Sequence, residues 1–156
     1  MSFSPNTDDA LVAGWRRREA AYGVLVKAQN PVNKATILSA LAQLGIETVT
    51  VNFDGSGDEG RIESVVAEAR GETVDLPAAI VEMLGVDFQS LEPERVQQGL
   101  DQAVLDFAEE LLDQTHRYWG DGDGAYGEVV FDVAGDEITI DFNARFTASE
   151  NFTHTF

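Results

Sequence analysis

The chain has 156 residues, enough for one domain with a real core, and carries 28 acidic against 10 basic residues for a formal net charge of −18. It has no cysteine, which excludes disulfide frameworks, thiolate metal centres and cysteine nucleophiles. No apolar run approaches the ~20 residues that span a bilayer, and the opening MSFSPNTDDA lacks the parts of a secretory signal, so the expectation is a soluble, cytoplasmic protein with no membrane partner.

The charge is unevenly placed. Residues 1–45 carry five basic and three acidic side chains, whereas residues 46–156 carry five arginines against 25 carboxylates. An excess of that size repels nucleic acid and anionic lipid. The one basic cluster, Arg16-Arg17-Arg18, fans over roughly 200° if helical, so direct nucleic-acid binding is not expected.

Residues 8–28 are predicted as a helix from the spacing of Leu11, Trp15, Arg18, Tyr22 and Leu25 or Val26, with Ser4 to Asp9 supplying caps and favourable charge at its start. A second helix is expected over 31–44, with Asn30 as N-cap, Pro31 at the first position, an apolar stripe of Ile37, Leu41 and Leu44, and Gly45 as the stop. The period then changes to two: Val49, Val51 and Phe53 share one face, and Arg61–Ala67, with Ile62 and Val66, reads as the returning arm of a hairpin across a glycine-rich loop. Pro77–Leu84 reads as a short helix and 93–118 as a long amphipathic one carrying Val96, Leu100, Val104, Phe107, Leu111 and Tyr118, with Gly99 a weak point inside it. Two further alternating segments follow, Val129, Phe131 and Val133 and then Ile138, Ile140 and Phe142, joined at Ala134-Gly135-Asp136-Glu137 as a second hairpin.

The expected fold is α+β: a four-stranded antiparallel sheet of two hairpins with helices packed on one face. Residues 1–30 form a helical arm for packing or dimerisation, 31–147 the α+β domain, and 148–156 a C-terminal tail. Trp15, Tyr22, Phe107, Tyr118, Trp119, Phe131 and Phe142 are assigned to the core.

Asn33-Lys34-Ala35, Gly45-Ile46, Phe53-Asp54-Gly55-Ser56-Gly57-Asp58-Glu59-Gly60 with Ile62-Glu63, Trp119-Gly120, Asp123-Gly124-Ala125-Tyr126-Gly127 and Phe131-Asp132-Val133 together resemble a family of uncharacterised small bacterial proteins. The resemblance covers residues 33–147. It implies carriage on plasmids, phages and integrated elements, and it implies no activity. Where the family has Glu-Asn-Asn-Asp after the tryptophan, this chain has Gly120-Asp121-Gly122-Asp123, so those amides are missing.

Asn52, Asp54, Ser56, Asp58 and Glu63 imitate the ligand spacing of a calcium loop, with Gly57 at its sixth position, yet Glu59 stands where that loop is apolar and the flanks are strands instead of helices. Two readings of the glycine–aspartate stretches therefore stand side by side. They are hairpin loops that need positive-φ glycines, or they converge so that Asp54, Asp58, Asp121 and Asp123 hold Ca²⁺ or Mg²⁺. A phosphate loop is excluded, since neither stretch contains lysine or opens a helix. Catalytic residues are not assigned. The two histidines are His154, near the chain end, and His116, whose protonated ring would suit a helix C-terminus, and no nucleophile-elbow pattern links Ser56 to either.

The function expected is that of a non-enzymatic accessory or regulatory protein of a mobile element, with no cofactor. Its acidic sheet face, carrying Glu128, Asp132, Glu137 and Asp141, would bind a basic protein partner such as a nucleic-acid-binding host protein, in one version by mimicking DNA. The alternative is a metal-dependent enzyme or ion-binding module built on the two glycine–aspartate stretches.

Overall fold

In the computed structural model the described residues are 7–117, 119, 121–145 and 150–156, with the side chains of 7–9, 56–60, 121, 122 and 150 left aside. The elements run α1 (Thr7–Ala28), α2 (Asn30–Gln43), β1 (Thr48–Ala69), β2 (Glu72–Val74), β3 (Ile80–Val86), β4 (Pro93–Gly99), α3 (Leu100–Thr115), β5 (Asp121–Asp132), β6 (Glu137–Ala144) and β7 (Glu150–Thr155).

β1 is a hairpin and not a rod. Its 22 residues would extend about 70 Å if straight, far beyond a chain of this length with a radius of gyration of about 15 Å. The Glu47 N–H donates to the Glu68 carbonyl at 2.8 Å and the Asn52 amide to the Ser64 hydroxyl at 2.9 Å, so the segment folds back across the glycine-rich stretch. Its returning arm pairs with β2 (Ala67↔Val74) and its outgoing arm with β5 (Val49↔Phe131), and β5–β6–β7 continues the antiparallel order. With the two arms counted separately the main sheet has six strands, not the expected four. The extra strands are β2 and β7. β7 takes up residues read as a tail: Phe152, His154 and Phe156 alternate, and Phe156 exchanges two backbone hydrogen bonds with Ile138, at 2.6 and 2.9 Å.

One face of this sheet is dry. Val49, Val51, Phe53, Val129, Phe131, Ile138, Ile140 and Phe142 are buried as their alternation predicts, and Val133 is partly buried at the margin. Against them pack Ile37, Leu38 and Leu41 of α2 and Val104, Phe107, Leu111 and Leu112 of α3. α2 ends as its sequence dictates: Gly45 has φ 75°, and Ile46 and Gly45 donate to the carbonyls of Leu41 and Ala42, closing a Schellman turn. Its start differs from expectation. Asn30 is already helical, and its amide exchanges hydrogen bonds with that of Gln114 (2.6 and 3.1 Å), tying α2 to α3 instead of capping.

One helix expected from periodicity is absent and another is shorter than expected. Pro77–Leu84 contributes to β3, and residues 93–99 form β4, which pairs with β3 in a separate two-stranded sheet (Met83↔Val96). The helix expected over 93–118 is therefore α3 alone, and Gly99, in extended conformation, stands at its N-cap. Asn33, only 7% exposed, fixes the small sheet to α2 by imitating a strand: its amide donates to the Leu84 carbonyl at 3.1 Å and accepts from the Leu84 N–H at 2.8 Å. α1 leaves most of its apolar stripe in solvent. Leu11 is 66% and Trp15 59% exposed, and Trp15 and Tyr22 meet the body through Phe88, so Trp15 is not core. Tyr118 lies outside the described residues. Among the described residues, no helix is long and apolar enough to cross a membrane.

Candidate functional site

Among the described residues, nothing covers the other face of the main sheet. Along it stand Thr50, Asn52 and Asp54 of β1, Glu128 and Asp132 of β5, Glu137, Thr139, Asp141 and Asn143 of β6, and Asn151 and Thr153 of β7, none of them buried. Strict alternation puts them there, because each is flanked by an inward apolar neighbour or by its cross-strand continuation.

The register brings the four carboxylates expected in a binding face together in two opposed pairs. Glu128 stands directly across from Asp141, and Asp132 across from Glu137. Opposed side chains in an antiparallel ladder are about 4.5–5.5 Å apart at Cβ, and like charges so placed destabilise the sheet. Two of the four have local duties as well. Asp132 accepts the Gly135 N–H at 3.1 Å and shapes the β5–β6 turn, and Asp141 accepts the Asn151 amide at 2.6 Å. Glu128 and Glu137 have no hydrogen-bonding or ion-pair partner among the described residues.

The two glycine–aspartate stretches lie side by side. Asp54 pairs with Tyr126, Gly55 with Ala125 and, after a bulge, Gly57 with Gly122 and Asp58 with Asp121. Asp54 is engaged elsewhere: both of its oxygens accept from the Arg145 guanidinium, at 2.7 and 2.9 Å, which holds its carboxyl below the usual range. Arg145 also lies 4.8 Å over the Tyr126 ring. Asp123 is exposed, and the side chains of Asp58 and Asp121 lie outside the described set. Among the described residues, no three potential metal-ligating side chains come together. Positive φ occurs in the second stretch at Gly124 (82°) and Gly127 (155°).

Sequence reasoning missed a pair of histidines. At the C-terminal end of α3 the His116 ring lies flat on Phe142, centroids 3.7 Å apart and planes 5° apart, with its Nε2 2.6 Å from Nε2 of His154 on β7. Burial, and then His154, push the His116 imidazole below its ordinary range. The ring that ends α3 is thus also a packing group, set between Phe142 and His154. The available signal was the alternation of Phe152, His154 and Phe156, which marks a strand.

A family model described as a family of unknown function (DUF6878) matches residues 29–156. No curated protein and no solved structure matches the chain.

Proposed function

The chain belongs to the DUF6878 family, and we propose that it is a non-enzymatic acidic accessory protein of a mobile element whose uncovered sheet face binds a basic protein partner. One observation carries this reading: Glu128/Asp141 and Asp132/Glu137 are held in like-charge register on an exposed face. Such an arrangement costs the free protein stability and is relieved when arginine or lysine side chains of a partner approach. A face of this kind supports steering of a cationic partner and, in the DNA-mimic version, occupation of its nucleic-acid site.

Affinity capture from the native host tests this, comparing wild type with the triple variant Glu128→Gln, Glu137→Gln, Asp141→Asn, which leaves the turn-shaping Asp132 in place. A salt-labile basic partner held by wild type and lost by the variant is the expected result. If the partner reads nucleic acid, added duplex should displace the chain. Equal capture by both proteins would overturn the assignment of this face.

A second reading rests on the register of Asp58 with Asp121. Two carboxylate-bearing positions opposite one another, beside Asp123, support a Ca²⁺ or Mg²⁺ site, although Asp54 is drawn away by Arg145. Titration calorimetry with either ion tests it.

A further inference from the structure

We infer that the free edge of β3, with the groove between it and α2, is a self-association surface whose occupant is the same edge of a second copy of this chain. The inference does not rest on the acidic face, which belongs to the other sheet. Residues of an antiparallel strand turn their N–H and C=O groups alternately to one side and the other. The Leu84 N–H and C=O are taken by the Asn33 amide of α2, so Leu84 faces away from β4. Just before β3 the Ala79 carbonyl faces the other way and accepts the Leu100 N–H at 2.8 Å. Ile80 and Glu82, in step with Leu84, therefore direct their backbone groups away from β4, and among the described residues these groups have no partner. Asn33 closes this edge at one end and β3 begins at Ile80 at the other, which leaves Ile80 and Glu82 open between them.

Alongside runs a groove of about 680 Å³, walled by one side of α2 from Pro31 to Gln43 and by Ile80 and Val81. Its rim is apolar, with Val32 51% and Ile80 71% exposed, and none of its lining side chains is charged. On a chain of net charge −18, two copies meet at least cost where carboxylates are absent or offset. This edge meets that condition, because Glu82 is paired with Arg95 at 3.5 Å in its own copy. An open strand edge is also self-complementary, since each residue offers one donor and one acceptor. About a two-fold axis at Val81, Ile80 of each copy stands opposite Glu82 of the other. Both opposed pairs then exchange N–H···O bonds through the groups left open, and Leu84 is not needed. A second copy brings this strand already ordered against β4, whereas a disordered segment would lose entropy in ordering its own.

Analytical ultracentrifugation of the full-length chain from low micromolar to near-millimolar concentration tests this, with amide hydrogen exchange at both ends of the range. We expect a monomer–dimer equilibrium that tightens as sodium chloride rises, since screening weakens the repulsion between copies, the opposite of the salt-labile capture expected at the acidic sheet face. The amides of Ile80 and Glu82 should gain at least tenfold protection in the dimer, while that of Leu84, already held by Asn33, stays unchanged. Glu82→Pro removes an edge N–H that the monomer does not use. Val32→Glu places a carboxylate in the groove near the start of α2, where it suits the helix. Each should weaken dimerisation at least tenfold while keeping the circular dichroism of wild type, and Glu128→Gln/Asp141→Asn should not weaken it. The exchange pattern of wild type decides the matter if either variant fails to fold. A dimer retained by both folded variants, or exchange at Ile80 and Glu82 that does not depend on concentration, would overturn the inference. So would a monomer throughout the range in high salt, which would leave this edge to a strand of another protein.

Discussion

Gly127 shows how a single residue can be dictated by its neighbours. It stands in β5 directly between Phe53 on β1 and Phe142 on β6, whose rings pack over it at a centroid separation of 5.9 Å. A Cβ at this position would lie 1.9 Å from the Asp141 carbonyl oxygen and 3.0 Å from the Phe53 ring. No side-chain rotation relieves a clash with backbone, so Gly127→Ala should cost at least the 1–3 kcal/mol typical of overpacking, read as a lowered urea midpoint. His116 provides a pH signature at the same scale. Its folded-state value lies below the ordinary 6.5, so between the two values the unfolded chain binds the extra proton and the folded chain does not. The contribution is fully present above pH 6.5 and is lost as pH falls through the window down to the lowered value. Urea melts of wild type and His116→Gln between pH 7.5 and 4.5 check this: the variant should lose less stability on acidification. Parallel curves would show that the His116–His154 contact is energetically silent.

Legibility divides at the level of elements, according to how each is buried. β5 and β6 could be read because they lie in the middle of a one-faced sheet, so their inward residues alternate without interruption. Phe131 is fully buried, with Val49 and Ile138 in register on either side, and Phe131→Ala should cost about 3–5 kcal/mol; a thermal melt superimposable on wild type would contradict this packing. β4 could not be read so. Its seven residues, Pro93 to Gly99, contain one large apolar side chain, Val96, which falls in helical register with Leu100 and Val104. The periodicity of α3 thus extends backward over a strand that buries almost nothing. β3 failed for a related reason: a short apolar run is ambiguous until its partner is known, and that partner was the unreadable β4. In the candidate site, alternation sufficed to place Glu128, Asp132, Glu137 and Asp141 on one face. The pairing of Asp58 with Asp121, the diversion of Asp54 to Arg145 and the meeting of two histidines 38 positions apart all depend on register between distant segments, which no local pattern encodes.

For the whole molecule the dominant electrostatic fact is a net charge of −18. Folding concentrates these charges, so the native state is destabilised by self-repulsion that salt should relieve as the Debye length falls from ~10 Å at 0.1 M to ~3 Å at 1 M. Each 1 kcal/mol recovered should raise the melting temperature by about 2–4 °C in a protein of this size. Calorimetry in sodium chloride alone should therefore show a smooth rise, with no saturation at low concentration. Calcium or magnesium at matched ionic strength separates general screening from a site. If Asp58 and Asp121 hold an ion, stabilisation follows mass action and adds about 2.7 kcal/mol at a hundredfold excess over the dissociation constant, in millimolar divalent salt, where sodium does little. Asp121→Asn should then remove the divalent increment and leave the sodium curve in place. Superposition of the calcium, magnesium and sodium curves at equal ionic strength, with no binding heat, would assign the glycine–aspartate stretches to backbone geometry alone, leaving the sheet face as the place where the acidity acts.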